Sequence, residues 1–139
     1  MEQIPAGSAM DAEIAQKIFG HEVRLVTENE RNGPDGVYLQ DVERKWGQSG
    51  NKFWGSLTCY STNIAAAMLV FDHLVGLGLQ VILARDSLDE PYEVEVCTSE
   101  ALYEQGYRGV YTKDNSAALA ICRAALYVVN AKAEHDVQV

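Results

Sequence analysis

Residues 64–76 read Ile64-Ala65-Ala66-Ala67-Met68-Leu69-Val70-Phe71-Asp72-His73-Leu74-Val75-Gly76, and residues 79–85 read Leu79-Gln80-Val81-Ile82-Leu83-Ala84-Arg85. After turn formers at 86–91 comes Tyr92-Glu93-Val94-Glu95-Val96-Cys97. The apolar period changes twice along this stretch. Ile64, Met68, Phe71 and Val75 recur at helical spacing, widened by Ala67 and Leu74, and predict a helix with that stripe in the core. Ser61 or Thr62 is placed to cap it, and Gly76 and Gly78 to stop it. The run at 79–85 is a short apolar strand. The run at 92–97 alternates, which predicts a strand with Glu93 and Glu95 on a solvated face. Asp72, His73, Gly76, Gly78 and Gln80 interrupt the apolar run, so it is a helix and then a strand, not a membrane span.

Working towards the N-terminus, residues 43–58 hold both tryptophans, Trp46 and Trp54. They read as a long loop that carries a short strand near 52–57. Residues 22–27 and 37–42 are extended and rich in β-branched side chains, and the turn formers between them predict a hairpin with a long loop. Ahead of these, Met10, Ile14 and Ile18 mark one helical face, with Ser8 as its expected cap, Asp11 completing a short capping box, and Gly20 ending it in the left-handed conformation. Towards the C-terminus, residues 99–105 fit no single period. Residues 107–112 are a last strand or an extended connector. A final helix follows, capped by Asp114, Asn115 or Ser116, with the stripe Leu119, Cys122, Leu126 and Val129. Helices and antiparallel strands in so short a chain predict an α+β fold: an α/β/α sandwich of three helices packed on a small, mostly antiparallel sheet. Residues 1–139 are expected to form a single domain.

The chain of 139 residues has a formal charge of −9, from 11 basic and 20 acidic side chains. That field repels nucleic acid and anionic membrane surfaces, so neither is an expected partner. It still allows a small phosphorylated ligand held by backbone N–H groups and one Arg, or an acidic surface that mimics DNA. The three cysteines, Cys59, Cys97 and Cys122, are odd in number and widely spaced, which suggests neither a disulfide framework nor a zinc site. With no signal peptide in the sequence, free thiols fit a reducing cytoplasm.

No metalloprotease, nucleophile-elbow or redox CxxC signature occurs. The histidines His21, His73 and His135 do not form a spaced ligand set, so no metal, cofactor or catalytic set is expected. Asp86, Asp89, Glu90, Glu93 and Glu95 read as a solvated acidic surface. The helix starts are the stronger signals. Ser8, Ser61-Thr62 and Asn115-Ser116 place hydroxyls beside unpaired N–H groups, which suits phosphate, and plain capping explains the same residues. Arg123, among small residues, suits either a phosphate or a salt bridge. Trp54 and Tyr60 suit stacking on a planar base or a satellite apolar cluster.

Three segments carry a family resemblance: residues 5–15 from Pro5, residues 60–67 from Tyr60-Ser61-Thr62-Asn63, and residues 118–126 through Arg123. Together they resemble the phage ABA sandwich domain family, which implies an α/β/α sandwich and a phage origin. Cys59 replaces the Pro usual before the Tyr-Ser-Thr, and Asn63 replaces an Asp, which removes a charge from that helix start. The loop from 28 to 57 is longer than usual. With this resemblance, the sequence points to a non-enzymatic counter-defence protein in the host cytoplasm. It would sequester a small nucleotide signal, a cyclic nucleotide or ADP-ribose derivative, as a homo-oligomer. Ser61, Thr62, Arg123, Asn115 and Ser116 would hold phosphate, and Tyr60 and Trp54 would stack on the base. The alternative is an acidic inhibitor of a host defence protein, favoured by carboxylates gathered on one face. A hydrolase lacks a pairable acid and base.

Overall fold

A computed structural model gives the fold and describes residues 6–26, 37–42 and 53–138. The expected hairpin loop at 28–36 and most of the loop at 43–58 lie outside these residues, and of Trp54 only the backbone is described. The elements run α1 (Ser8–Lys17), β1 (Val23–Val26), β2 (Val37–Val42), β3 (Phe53–Ser56), α2 (Ile64–Gly76), β4 (Gln80–Ala84), β5 (Tyr92–Cys97), α3 (Glu100–Glu104), β6 (Val110–Asp114) and α4 (Ala117–Gln138). The α+β class and the antiparallel pairing hold. The strands divide into two sheets, β1-β2-β3 and β4-β5-β6, each antiparallel throughout. The stretch at 99–105 is a fourth, short helix, because the Ser99 hydroxyl accepts the Leu102 N–H and caps it.

α4 organises the domain. It packs on α1, α2, β5 and β6, while α1 also touches β1 and β2. The expected stripe through Leu119, Cys122 and Leu126 is buried, and so are Ala118, Ala120, Ile121, Ala124, Ala125 and Val128. The first half of α4 is apolar on nearly all sides, and such a segment is stable only inside. The alanines let neighbouring backbones come close. Thr112, inward on β6, donates its hydroxyl to the Ala120 carbonyl at 2.8 Å and ties sheet to helix.

α1 buries Met10, Ile14 and Ile18 as the spacing predicts, and Gly20 takes φ +71. Its start differs from expectation. Gly7 is the cap residue, no side chain caps it, and Ser8 lies inside the first turn. Asp11 closes no capping box and points into the core. α2 is also turned. Its buried residues are Ala67, Val70 and Leu74. Ala67 and Leu74, the widening of the predicted stripe, are buried as expected, while Met68, Phe71 and Val75 each lie one position beyond a buried residue, about 100° around the axis. Ile64 and Val75 are exposed.

Burial has a titration consequence. Desolvation, with the nearby Asp11 carboxylate adding to it, pushes the Cys122 thiol from 9.0 up to about 12, and burial also raises Tyr60. The unfolded chain therefore releases these protons first. Their contribution is fully present below about pH 9 and is lost as pH rises towards 12. The melting temperature should fall between pH 8 and 10.5, and less so in Cys122→Ala. At pH 8 a thiol reagent should label exposed Cys59 quickly and Cys122 only on unfolding. Labelling of folded Cys122 would contradict this burial.

Candidate functional site

Two of the three helix starts expected to grip an anion, those of α2 and α4, carry side-chain caps of the protein's own. At α2 the cap is Asn63, not Ser61 or Thr62: its side-chain oxygen accepts the Ala65 and Ala66 amides at 2.9 and 3.2 Å. Ser61 is buried. Its N–H and O–H both donate to Asp11 Oδ1 at 2.7 Å, while its Oγ accepts the Gly7 N–H at 2.9 Å. At α4, Ser116 Oγ accepts the Leu119 amide, and Asp114 Oδ1 accepts the Ser116 amide. Arg123 Nη1 donates to Asp114 Oδ2 at 3.0 Å. Tyr60 is buried and stacked on Phe19 at 5.2 Å between ring centres, with His73 edge-on to the same ring. Ser61, Ser116, Arg123 and Tyr60 thus serve the scaffold, because each found a partner inside the fold. Thr62 and Asn115 are exposed beside the two starts. The structure gathers these residues at two separate helix ends. Among the described residues, no three His, Cys, Asp or Glu side chains converge as a metal set. No helix among them is long and apolar enough to cross a membrane.

A different surface is left open. Sheet β4-β5-β6 turns Val94, Val96 and Thr112 inward. Its other face is open. The register aligns Ile82, Glu95 and Tyr111 in one row across it, and Ala84, Glu93 and Lys113 in the next. Ile82 and Tyr111 are exposed. The Tyr111 hydroxyl donates to Glu93, which raises the tyrosine's pKa, and Lys113 lies 4.0 Å from the same carboxylate. Glu95 stands between Ile82 and Tyr111 in its own row. A shallow depression of about 340 Å³ runs between β5 and β6, beside Glu95, Cys97, Gly109 and Tyr111.

The β4–β5 turn extends this face. Arg85 Nε donates to the Glu90 carbonyl at 2.8 Å, Nη2 to the Leu88 carbonyl at 2.6 Å and Nη1 to the Tyr92 hydroxyl at 3.2 Å. Its guanidinium also lies 4.5 Å from the Tyr92 ring centre. A planar five-donor group is suited to holding a turn this way. Leu88 stands at the tip, 86% exposed, flanked by Asp86, Asp89 and Glu90. Sequence reading placed these carboxylates on one surface. It missed Leu88 and the clamp, whose only sequence signal is an Arg just ahead of an acidic turn.

These features define a small α+β domain of helices packed with two antiparallel sheets, whose open sheet face and turn mix acidic and apolar groups. The phage ABA sandwich domain model matches residues 12–126. The chain belongs to that family. The fold is also that of a phage protein from Bacillus cereus ATCC 14579 known from a crystal structure, at 21% identity and a TM-score of 0.58, with 94% of each chain covered. No curated protein matches the chain.

Proposed function

We propose that this phage domain is a counter-defence binding protein, acting without turnover, that docks the open β4-β5-β6 face and its Leu88 turn onto a host defence protein. The target site is basic around an apolar hollow. Charge carries the match: Asp86, Asp89, Glu90, Glu93 and Glu95 outnumber Arg85 and Lys113 on this surface, and Arg85 is occupied in the turn. Leu88 would be the anchor and the carboxylates the steering rim. The observation behind this reading is the clamped turn, because a preorganised tip loses little freedom on binding. Same-face residues on a strand stand about 6.8 Å apart, so Glu93 and Glu95 supply a pair of charges rather than an extended imitation of DNA.

Sequestration of a cyclic nucleotide or ADP-ribose derivative is the competing proposal. Exposed Thr62 and Asn115 favour it. The capping of both adjacent helix starts weakens it, since those amides already have acceptors. One experiment separates the two. Tagged protein is passed over host lysate in parallel with Leu88→Asp and Glu95→Lys, and calorimetry is run against cyclic dinucleotides and ADP-ribose derivatives. A host protein retained at low salt, lost in both variants and released by moderate salt is the expected result. Retention unaffected by either variant would refute the docking face. Heat with a nucleotide at wild-type strength in both variants would favour sequestration instead.

A further inference from the structure

α2 carries two apolar stripes, and among the described residues the core buries only one of them fully. Ala67, Val70 and Leu74 are buried against the rest of the domain. The stripe Ile64, Met68, Phe71, Val75 lies beside it, and Ile64 is 50% and Val75 47% exposed, with Leu69 further round at 55%. Met68 and Phe71 pack only partly on the core. Isolated exposed apolar residues are ordinary, but several on one helix form a patch that soluble proteins usually cover.

We infer that this stripe is a self-association seam, covered by α2 of a second copy running antiparallel about a two-fold axis. The pattern is self-complementary. Ile64 and Val75 lie equally far from the point midway between Leu69 and Val70, and so do Met68 and Phe71. About an axis through that point, Ile64 of each copy meets Val75 of the other, and Met68 meets Phe71. An isologous interface requires this property, and the spacings of four, three and four residues are those of helix-to-helix seams. Charge selects the occupant. The chain is at −9, so two copies approach best through a surface nearly free of carboxylates, and the exposed side of α2 carries Asp72 alone. That surface also offers a charged partner only Asp72 to pair with, unlike the sheet face. Area sets the strength. A 13-residue helix is about 20 Å long and some 10 Å wide, a footprint of about 200 Å² on each copy, well under the roughly 800 Å² per partner of a standard interface, so the seam makes a weak contact. The dimer is therefore weak and reversible, with dissociation expected in the range of about 30–300 µM.

Sedimentation velocity across about 1–300 µM tests this on the full chain, a range set by that affinity. Wild type should shift from monomer to dimer. Ile64→Glu and Val75→Lys place charges that suit the helix dipole, so each should fold, which circular dichroism at low concentration checks. Each single variant should weaken association at least tenfold, and the double variant Ile64→Glu/Val75→Lys should regain it, because the antiparallel arrangement sets each Glu beside the other copy's Lys. A wild type monomeric throughout, a dimer indifferent to both single variants, or a double variant no better than either single would each overturn the inference. A monomer whose single variants lose thermal stability would show that the chain itself covers the stripe. The docking face is unaffected by any of these results.

Discussion

Asp11→Ala is expected to destabilise the domain by about 3 kcal/mol, from the loss of two charge-assisted hydrogen bonds and the stranding of a buried donor. Asp11 is 4% exposed and Ser61 is 1% exposed, so water cannot replace the lost acceptor. The Ser61 N–H is the critical group, because a backbone donor cannot be rotated away from its position. The lock joins residues far apart in sequence: the start of α1, through Gly7 and Asp11, to the entry into α2 at Ser61. At this chain length the loss should lower the melting temperature by roughly 10 °C. Ser61→Ala removes the acceptor of the Gly7 N–H and should cost about 1–2 kcal/mol. The double variant should fall well short of the sum, since both changes break the same network. Thermal or denaturant unfolding of the four proteins measures this directly. An additive cycle would mean that Asp11 and Ser61 do not act together.

Gly106→Ala should be at least as damaging, through a different mechanism. Gly106 has φ +108, and a Cβ there would stand 2.6 Å from His135 Cγ and 2.7 Å from His135 Cβ. It follows the end of α3, where the Gly106 N–H donates to the Tyr103 carbonyl and the Tyr107 N–H to the Leu102 carbonyl, each at 3.0 Å. This pairing is how a left-handed residue closes a helix. Alanine adds backbone strain of about 1–3 kcal/mol and a clash worth about 1–3 kcal/mol more. Because the near atoms include His135 Cβ, a rotamer change alone cannot relieve the contact, and the end of α4 must shift. Adding His135→Ala removes the Cγ and Cδ2 contacts but keeps Cβ, so it should recover part of the clash and leave the Cβ contact and the strain. Full recovery in that double variant would show that the backbone conformation carries no penalty.

Both changes lie away from the open sheet face, so retention of a host partner by the folded fraction should be unaltered. The two groups of variants thus separate scaffold from recognition: Asp11, Ser61 and Gly106 govern how much protein is folded, Leu88 and Glu95 what the folded protein holds.

Local rules were enough for much of this molecule. The alternation at 92–97 fixed a strand and its solvated side, because a period of two leaves only one face to bury. Met10, Ile14 and Ile18 marked the inner side of α1, and Gly20 its end. The residues resembling phage ABA sandwich domains spanned the helices that carry the fold. Tertiary structure alone settled three matters. It chose between two overlapping stripes on α2, since periodicity cannot tell which of two apolar sides meets the alanines of α4. It turned Asp11 and Ser61 into partners, because their encounter depends on how α1 and α2 are placed and no spacing along the chain encodes it. It paired Arg123 with Asp114, because which group a guanidinium meets depends on how β6 and α4 are placed, whereas the caps of α2 and α4 are contacts between near neighbours in the chain.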